Sequence, residues 1–178
     1  MEKRRYVLLD RDGVINLDSD DFIKSPDEWI PIEGSLEAIV LLNQQGYDVV
    51  VISNQSGIAR GLFDEAMLAT IHQKMYSLLA EQGGEIAAIY HCPHGPDSLC
   101  NCRKPKTGLL EQFALEKNVN LKSVFLIGDS LRDIQAALAV GANPILVKTG
   151  KGQKTLAQNP NLNIPVFENL YGAAKYII

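Results

Sequence analysis

The sequence predicts a doubly wound α/β domain, in which helices cover both faces of a mostly parallel sheet. Apolar runs rich in β-branched residues alternate with longer segments of helical period. Several helical segments are followed by Gly, which often stands just past a helix end. Because parallel neighbours need right-handed crossovers, such alternation favours a parallel sheet with both faces buried.

Five strands and five helices are expected along the chain. The strands are predicted at 5–10, 47–54, 85–92, 123–129 and 143–150, and the helices at 34–45, 64–82, 107–118, 131–140 and within 167–178. The segments between them, mainly 16–33 and 91–106, are expected to be loops. A length of 178 residues without an internal linker predicts one domain over residues 1–178.

Charge and hydropathy argue against several classes of protein. A net charge of -4 argues against a general nucleic-acid binder. No window approaches the roughly 20 apolar residues of a membrane span, and from the short apolar run in the first residues we expect no signal peptide. We therefore expect a cytoplasmic monomer that acts on a small molecule and binds neither nucleic acid nor membrane.

Polar residues recur where the predicted strands end. They are Asp10, Asp12, Ser53, Lys104 and Asp129, with Asp133 one turn into the next helix. Ligands of such sheets bind beyond the carboxyl ends of the strands. Asp10 and Asp12 are separated by one residue, so their carboxylates would repel each other unless a cation or a shared proton relieved the repulsion. The set matches what Mg²⁺-dependent phosphoryl transfer through an aspartyl-phosphate requires.

Each motif also has an ordinary structural interpretation. Asp-x-Asp-Gly alone is usually a turn, a lone lysine is usually solvated, and Ser130 with Asp133 forms a Ser-x-x-Asp capping box. These interpretations do not explain why all the motifs fall on one edge of the sheet. We therefore favour the catalytic interpretation and expect Asp133 to cap its helix as well.

In order and spacing, the motifs resemble those of the haloacid dehalogenase (HAD) superfamily of phosphatases, which have a Rossmann-like fold. The matching segments are D-R-D-G-V at 10–14, Ser53, R-K-P-K-T-G around Lys104 and G-D-S-L-R-D at 128–133. The segments after the first two motifs are too short for a large cap domain. The resemblance therefore implies a phosphatase with an open active site.

The resemblance also implies roles for the matching residues. Asp10 would be the nucleophile, and Asp12 the general acid and then the general base. Ser53 and Lys104 would stabilise the phosphoryl group, and Asp133 would orient Lys104 or a metal-bound water. Mg²⁺ would be held by the side chain of Asp10, the backbone carbonyl of Asp12 and Asp129. Strand alternation would direct the Arg11 side chain away from its neighbours, so we assign it no role.

The cysteines and one histidine cluster in the loop at 91–104. Cys92, His94, Cys100 and Cys102 form C-x-H-x5-C-x-C, a complete Cys₃His set for structural Zn²⁺. The alternative is a loop with incidental thiols. Zinc would fix the segment that leads to Arg103 and Lys104. The other histidines, His72 and His91, are expected in packing or surface roles.

Within the superfamily, the zinc loop and S-N-Q-S-G-I-A-R-G are similar to those of D-glycero-D-manno-heptose 1,7-bisphosphate 7-phosphatases. This resemblance implies removal of the 7-phosphate, in nucleotide-activated heptose biosynthesis for lipopolysaccharide core or another surface glycan. The expected substrate contacts are Asp18, Ser19, Asp20, Asp21, Ser53, Asn54, Gln55, Ser56, Arg60, Arg103 and Lys104.

Other functions remain open from sequence. Histidinol-phosphate phosphatases of the same superfamily have a similar zinc loop, and the acidic segment 18–21 would suit an amine. A phosphorelay receiver also combines this fold with Mg²⁺ and a phosphorylated aspartate, but it needs neither Asp12 nor the zinc loop. A compact zinc loop and Ser130, where some heptose enzymes have lysine, leave the anomer of the substrate open.

Overall fold

The computed structural model describes residues 4–178, which form a six-stranded sheet with helices on both faces. The strands are β1 (Arg5–Leu9), β2 (Tyr47–Asn54), β3 (Ala88–Cys92), β4 (Phe125–Gly128), β5 (Asn143–Val147) and β6 (Val166–Phe167). Their order is β3-β2-β1-β4-β5-β6, and every neighbouring pair is parallel. The predicted doubly wound sheet is confirmed.

Six α-helices connect or follow the strands. They are α1 (Ser35–Gln44), α2 (Glu65–Glu81), α3 (Gly108–Lys117), α4 (Leu131–Ala139), α5 (Gly152–Gln158) and α6 (Leu170–Ile177). The sequence did not predict α5 or β6, because seven and two residues are too few to show a period. Of the helices in the described part of the chain, none is long and apolar enough to span a membrane.

The core has two layers, one on each face of the sheet. Val7 and Leu9 of β1 pack in the layer that includes residues of α1, α2 and α6. Leu8, between them, packs on the opposite face with residues of α3 and α4. Because both faces are covered, the central strands are almost continuously apolar, as predicted for a parallel sheet.

The strand order reverses between β1 and β4, and this point determines where the active site lies. From β1 the chain proceeds outward to β2 and β3, whereas β4 to β6 extend the other edge. Asp10 follows β1 and Asp129 follows β4, so the two acids lie side by side. The Asp10 N–H donates to the carbonyl of Ile127 at 2.9 Å. Open α/β sheets bind ligands at such a switch point.

No large cap is inserted after either of the first two strands. The segment from β1 to α1 contains loops and one 3₁₀ turn (Pro26–Glu28), and only a short loop separates β2 from α2. The carboxyl edge of the sheet is therefore reached directly, as the sequence predicted.

The core on the α3 face gives a stability prediction. Phe113 is fully buried and packs edge-on against Tyr6 and Tyr90, with ring centroids 5.2 and 6.1 Å away. Phe113→Ala should lower the free energy of unfolding by about 3–5 kcal/mol. Leu115→Ala, on the same helix but 85% exposed, should change it by less than about 0.5 kcal/mol. Urea unfolding measures both, and equal losses would contradict this packing.

Candidate active site

The centre of the site is the buried ammonium group of Lys104. Its Nζ lies 3.0 Å from Asp10 Oδ1 and 2.7 Å from Asp133 Oδ1, and it donates to the carbonyl of Ile52 at 2.6 Å. All three N–H groups therefore have acceptors. Burial alone would lower the pKa of Lys104, but the carboxylates of Asp10 and Asp133 outweigh it and raise that pKa. Lys104 therefore stays positively charged.

The end of β2 holds the backbone of Lys104 in place. Asn54 accepts the Lys104 N–H at 3.0 Å and donates to the Lys104 carbonyl at 3.0 Å. The side-chain amide of Asn54, predicted to contact substrate, is thereby used to fix the loop. The Lys104–Pro105 peptide bond is cis.

Three carboxylates surround this centre. Asp10, Asp129 and Asp133 each offer an oxygen, and these oxygens lie within 4.8 Å of one another. Burial and the charge of Asp133 raise the pKa of Asp10 to about 7. Burial and the charges of Asp10 and Asp133 raise the pKa of Asp129 to about 8. Such a cluster of hard oxygen donors favours a divalent cation of the Mg²⁺ type.

Asp133 is the acid most engaged with protein. Besides its ion pair with Lys104, its Oδ2 accepts from the Ser130 N–H at 3.1 Å and the Ser130 hydroxyl at 2.9 Å. Asp133 and Ser130 therefore form a capping box at the N-terminus of α4, as the sequence predicted. The position of Asp133 fits the predicted role of orienting Lys104, and it leaves Asp10 and Asp129 as the acids available to a metal.

The Asp129 carboxylate is enclosed by two glycines. A Cβ on Gly13 would lie 2.0 Å from Asp129 Oδ2, and one on Gly150 would lie 2.3 Å from it. Both glycines have positive φ. Asp129 Oδ2 also accepts the Lys151 N–H at 2.8 Å, and the Thr149 hydroxyl donates to the Gly13 carbonyl at 2.7 Å. The loops after β1 and β5 thus close around Asp129.

Asp12 has a different environment, formed largely by Arg11. Arg11 Nε and Nη2 donate to Asp12 Oδ1 at 3.0 and 2.8 Å, so the prediction that Arg11 points away from its neighbours is wrong. Strand alternation stops at Leu9, and the next residues turn, with the Ile15 N–H donating to the Arg11 carbonyl. Burial would raise the pKa of Asp12, but the Arg11 charge and side-chain hydrogen bonds outweigh it and lower that pKa.

A cleft of about 250 Å³ opens over these acids. Its lining includes the following predicted residues: Asp10, Asp12, Asp18, Ser19, Asp20, Asn54, Gln55, Ser56, Arg60, Arg103, Lys104, Asp129 and Asp133. Two predicted substrate contacts are not among them. Ser53 is fully buried beneath the floor, where its hydroxyl accepts from Gln55 Nε2 at 2.8 Å. Asp21 is exposed outside the cleft, because the 18–21 segment turns there.

Five further residues complete the lining and were not among the predicted site residues, although Ser130 was named from the sequence as a helix cap and as a difference from some heptose enzymes. They are Phe22, Ile23, Ser130, Arg132 and Lys151. Arg132 lies inside the recognised G-D-S-L-R-D segment, so the motif itself could have indicated it. Lys151 directly precedes the unpredicted α5, and its Nζ lies 3.5 Å from Asp18 Oδ2.

Three arginines in the cleft have no acidic partner. Among residues 4–178, no carboxylate oxygen lies within 4.0 Å of Arg60, Arg103 or Arg132. Burial, together with the positive charges of Arg132 and Arg60, lowers the pKa of Arg103. Arg60 also lies over the ring of Phe22, 5.3 Å from its centroid. A cluster of unpaired guanidinium groups favours an anionic ligand.

The cysteine loop brings its four predicted ligands together beside the cleft. Cys92 Sγ lies 2.8 Å from Cys102 Sγ, 3.4 Å from His94 Nδ1 and 3.8 Å from Cys100 Sγ. All three cysteines are free, and one atom of each of the four residues fits within 4.8 Å. Arg103 Nη1 donates to the His94 carbonyl at 3.3 Å, which links this cluster to the cleft.

The other two histidines lie outside the cysteine cluster. His72 is buried on α2 against Arg11, with Nη1 to Nε2 at 3.1 Å. His91 lies at the end of β3 and contacts Glu65 at 2.8 Å. These positions agree with the expected packing and surface environments.

Comparison with known proteins identifies close relatives over the whole fold. Residues 101–173 match the HAD-hydrolase-like family model. The chain is 51% identical over 175 residues to D-glycero-beta-D-manno-heptose-1,7-bisphosphate 7-phosphatase of Pseudomonas aeruginosa, with 98% of each covered. It is 56% identical over 154 residues to the Bordetella bronchiseptica protein of that name, with 86% of each covered.

A solved structure is similar in fold as well as in sequence. The crystal structure of D,D-heptose 1,7-bisphosphate phosphatase from B. bronchiseptica, complexed with magnesium and phosphate, matches with a TM-score of 0.94. Sequence identity is 52%, and 97% of each chain is covered. The corresponding phosphatase structure from Burkholderia thailandensis matches with a TM-score of 0.77 at 42% identity, again with 97% of each chain covered.

The raised pKa values of Asp10 and Asp129 predict how Mg²⁺ stabilises the protein. The ordinary pKa of an aspartate is 3.8, and the folded-state values are about 7 for Asp10 and about 8 for Asp129. Between these pH values the two carboxyl groups hold protons in the metal-free folded state that they have released in the unfolded chain. The stability of the metal-free protein should therefore fall as pH rises through this range. Mg²⁺ competes with those protons, so the rise in Tm on adding Mg²⁺ in place of EDTA should be larger at pH 8 than at pH 6.

Thermal unfolding at the two pH values, with and without Mg²⁺, measures this effect. Asp129→Asn is the control, since it removes one titrating ligand and should greatly reduce the Mg²⁺ effect at both pH values. A rise in Tm that is equal at pH 6 and pH 8 would contradict the metal assignment of this carboxylate cluster.

Proposed function

The chain belongs to the HAD-like hydrolase family of its relatives named D-glycero-beta-D-manno-heptose-1,7-bisphosphate 7-phosphatase, and on that basis we propose that it hydrolyses the 7-phosphate of this β-anomeric sugar bisphosphate. The observation that carries the proposal is the buried contact of Lys104 with Asp10 and Asp133, three residues that line the same cleft as the arginines without an acidic partner. Lys104, Asp10 and Asp133 would bind and attack the phosphoryl group that reacts, and the arginines would bind the second phosphate.

The reaction would proceed in two displacements. In the first, the Asp10 carboxylate bonds to phosphorus while the bond from phosphorus to the sugar oxygen breaks, and Asp12 transfers its proton to that oxygen. In the second, water attacks the phosphorus of the aspartyl-phosphate as Asp12 takes up the water proton. The bond from phosphorus to Asp10 then breaks, which releases phosphate and regenerates both carboxyl groups.

The charges around Asp10 suit this chemistry. Lys104 is held within 3.0 Å of Asp10 and would shift toward an oxygen of the arriving phosphoryl group. The side chain of Asp10, the backbone carbonyl of Asp12 and Asp129 would hold Mg²⁺, the ion present in the crystal structure of the B. bronchiseptica relative. When bound, the metal supplies further positive charge to the phosphoryl oxygens. Ser53 would act through Gln55, since it lies beneath the floor.

The cleft supports a bisphosphate rather than histidinol phosphate. Within residues 4–178, Arg60, Arg103 and Arg132 have no carboxylate partner, and they would bind the phosphate that is not hydrolysed. Asp18, Ser19 and Asp20 offer acceptors for sugar hydroxyls. A substrate with one phosphate and a cationic amine would leave the arginines unneutralised. The relatives, all named for a phosphatase, also disfavour a phosphorelay receiver.

Several finer features follow from this assignment. We propose that residues 1–178 act as a single-domain monomer, because this chain supplies the proposed nucleophile, general acid and phosphoryl-binding lysine to one cleft without needing a second copy. The reaction would supply a nucleotide-activated heptose pathway that leads to lipopolysaccharide or another surface glycan. A cytoplasmic location would keep the three free thiols reduced.

We also propose that the cysteine loop binds structural Zn²⁺. Three thiols and one imidazole nitrogen are the ligand set of a closed tetrahedral zinc site. The backbone N–H of Arg103 and neighbouring hydrogen bonds outweigh burial and lower the pKa of Cys100 to about 6, which favours the thiolate that a metal needs. Burial raises the pKa of Cys92 and of Cys102, so metal binding would have to displace their protons. Zinc would hold the loop that presents Arg103 and Lys104.

Substrate comparison tests the proposed function. With Mg²⁺ present, we expect kcat/KM for the β-anomer of heptose 1,7-bisphosphate to exceed that for the α-anomer and for histidinol phosphate, with phosphate release as the measurement. Asp10→Asn is the control: it should retain the fold, by circular dichroism, and lose at least about 1,000-fold in activity, because it removes the nucleophile. A preference for histidinol phosphate would refute the substrate assignment.

Metal analysis and a loop variant test the zinc proposal. The wild-type protein should contain one equivalent of zinc, and Cys100→Ser should lower both Tm and phosphatase activity, because the loop would no longer be fixed. Leu99→Ala is the matched control, since Leu99 is the adjacent residue and is 97% exposed. It should retain zinc, Tm and activity. Absence of stoichiometric zinc from the wild type would rule out this role.

A further inference from the structure

A buried arginine and histidine lie behind the Asp12 carboxylate. The side chain of Arg11 is fully buried, and His72 of α2 is almost so. Arg11 Nη1 lies 3.1 Å from His72 Nε2. Because a guanidinium group can only donate, Nε2 must be the acceptor and His72 must be the neutral imidazole with its proton on Nδ1. Burial and the Arg11 charge agree with this, since they lower the pKa of His72 to about 3.

We propose that Arg11 and His72 are positioning residues that fix the Asp12 carboxylate for proton transfer to the leaving sugar oxygen. The inference rests on the proposed role of Asp12 as the general acid. Neither residue lines the cleft, so both would act through Asp12.

The hydrogen bonds of Asp12 separate its two oxygens. Oδ1 accepts from Arg11 Nε at 3.0 Å, from Arg11 Nη2 at 2.8 Å and from Asn16 Nδ2 at 2.9 Å. Among the described residues, Oδ2 accepts a hydrogen bond only from Gln55 Nε2, at 3.1 Å. A carboxylate oxygen has about two acceptor positions, so Oδ1 is saturated and Oδ2 is the oxygen left to exchange a proton. The same contacts lower the pKa of Asp12 in the metal-free protein, so their contribution is to orient the carboxylate and not to hold its proton. Asp12 lines the cleft, where that proton is needed.

His72 completes the support of Arg11. Two nitrogens of the guanidinium are directed at Asp12, and Nη1 is directed at the α2 helix instead. Without the imidazole, this buried N–H would lack its acceptor, and the guanidinium would shift to find another. Since Arg11 contributes two of the three donors to Oδ1, such a shift would reorient the Asp12 carboxylate. Proton transfer is sensitive to displacements of this size.

The test is the dependence of kcat/KM on the leaving group, because this ratio reports the first displacement. Phosphate monoesters with acidic phenol leaving groups need little proton transfer, whereas the sugar bisphosphate and alkyl phosphates need it fully. His72→Leu should therefore lower kcat/KM for the sugar bisphosphate by about 10- to 100-fold. For 4-nitrophenyl phosphate it should change kcat/KM by less than about threefold, so the dependence on leaving-group pKa becomes steeper.

Two further variants separate positioning from simple loss of stability. His72→Gln retains a neutral acceptor and should restore kcat/KM for the sugar bisphosphate to within about threefold of the wild type. Met75→Ala removes a fully buried side chain one turn along α2, so it should lower Tm without changing the leaving-group dependence. If His72→Leu does not fold, Arg11→Lys replaces it, since lysine retains the charge but lacks the fork that holds Oδ1.

The outcomes distinguish this inference from the function on which it rests. Equal proportional losses for every leaving group in His72→Leu, or in Arg11→Lys where it replaces that variant, would overturn the positioning role. A wild-type protein that releases no phosphate from any monoester in the presence of Mg²⁺ would instead overturn the proposed function.

Discussion

The ion pairs of the buried Lys104 ammonium group are the interaction on which the rest of the active site depends. Lys104 links the ends of β1 and β2 to the first turn of α4, through Asp10, the Ile52 carbonyl and Asp133. A buried charge is tolerated only with compensating charges and hydrogen bonds. The same contacts that stabilise the lysine therefore bring the carboxylates together and fix the site where a phosphoryl group would react.

The two acids of the D-R-D segment have opposite environments in the metal-free protein. Asp10 is surrounded by other acids, which with burial raise its pKa, and a metal would relieve that repulsion. Asp12 instead contacts Arg11 and neutral amides, which lower its pKa. Arg11, between them in sequence, turns inward and supports one of the two.

The sequence predicted the sheet and the acids at its edge because strand ends can be located from apolar runs and meet at one edge. It could not place Arg11, since the turn after Leu9 ends the alternation on which the prediction relied. It could not indicate the contact of His72, because α2 reaches Arg11 only through tertiary packing. Lys151 was missed along with α5, whose seven residues are too few to reveal a period.

The central claim is that phosphoryl transfer proceeds in two displacements through Asp10. The stereochemical course at phosphorus tests it most directly, with the heptose bisphosphate carrying an isotopically chiral thiophosphate at position 7 and hydrolysed in labelled water. Each in-line displacement inverts the configuration, so two displacements predict net retention in the released thiophosphate. Net inversion would show that water attacks the substrate directly, and it would contradict the assignment of Asp10 as the nucleophile.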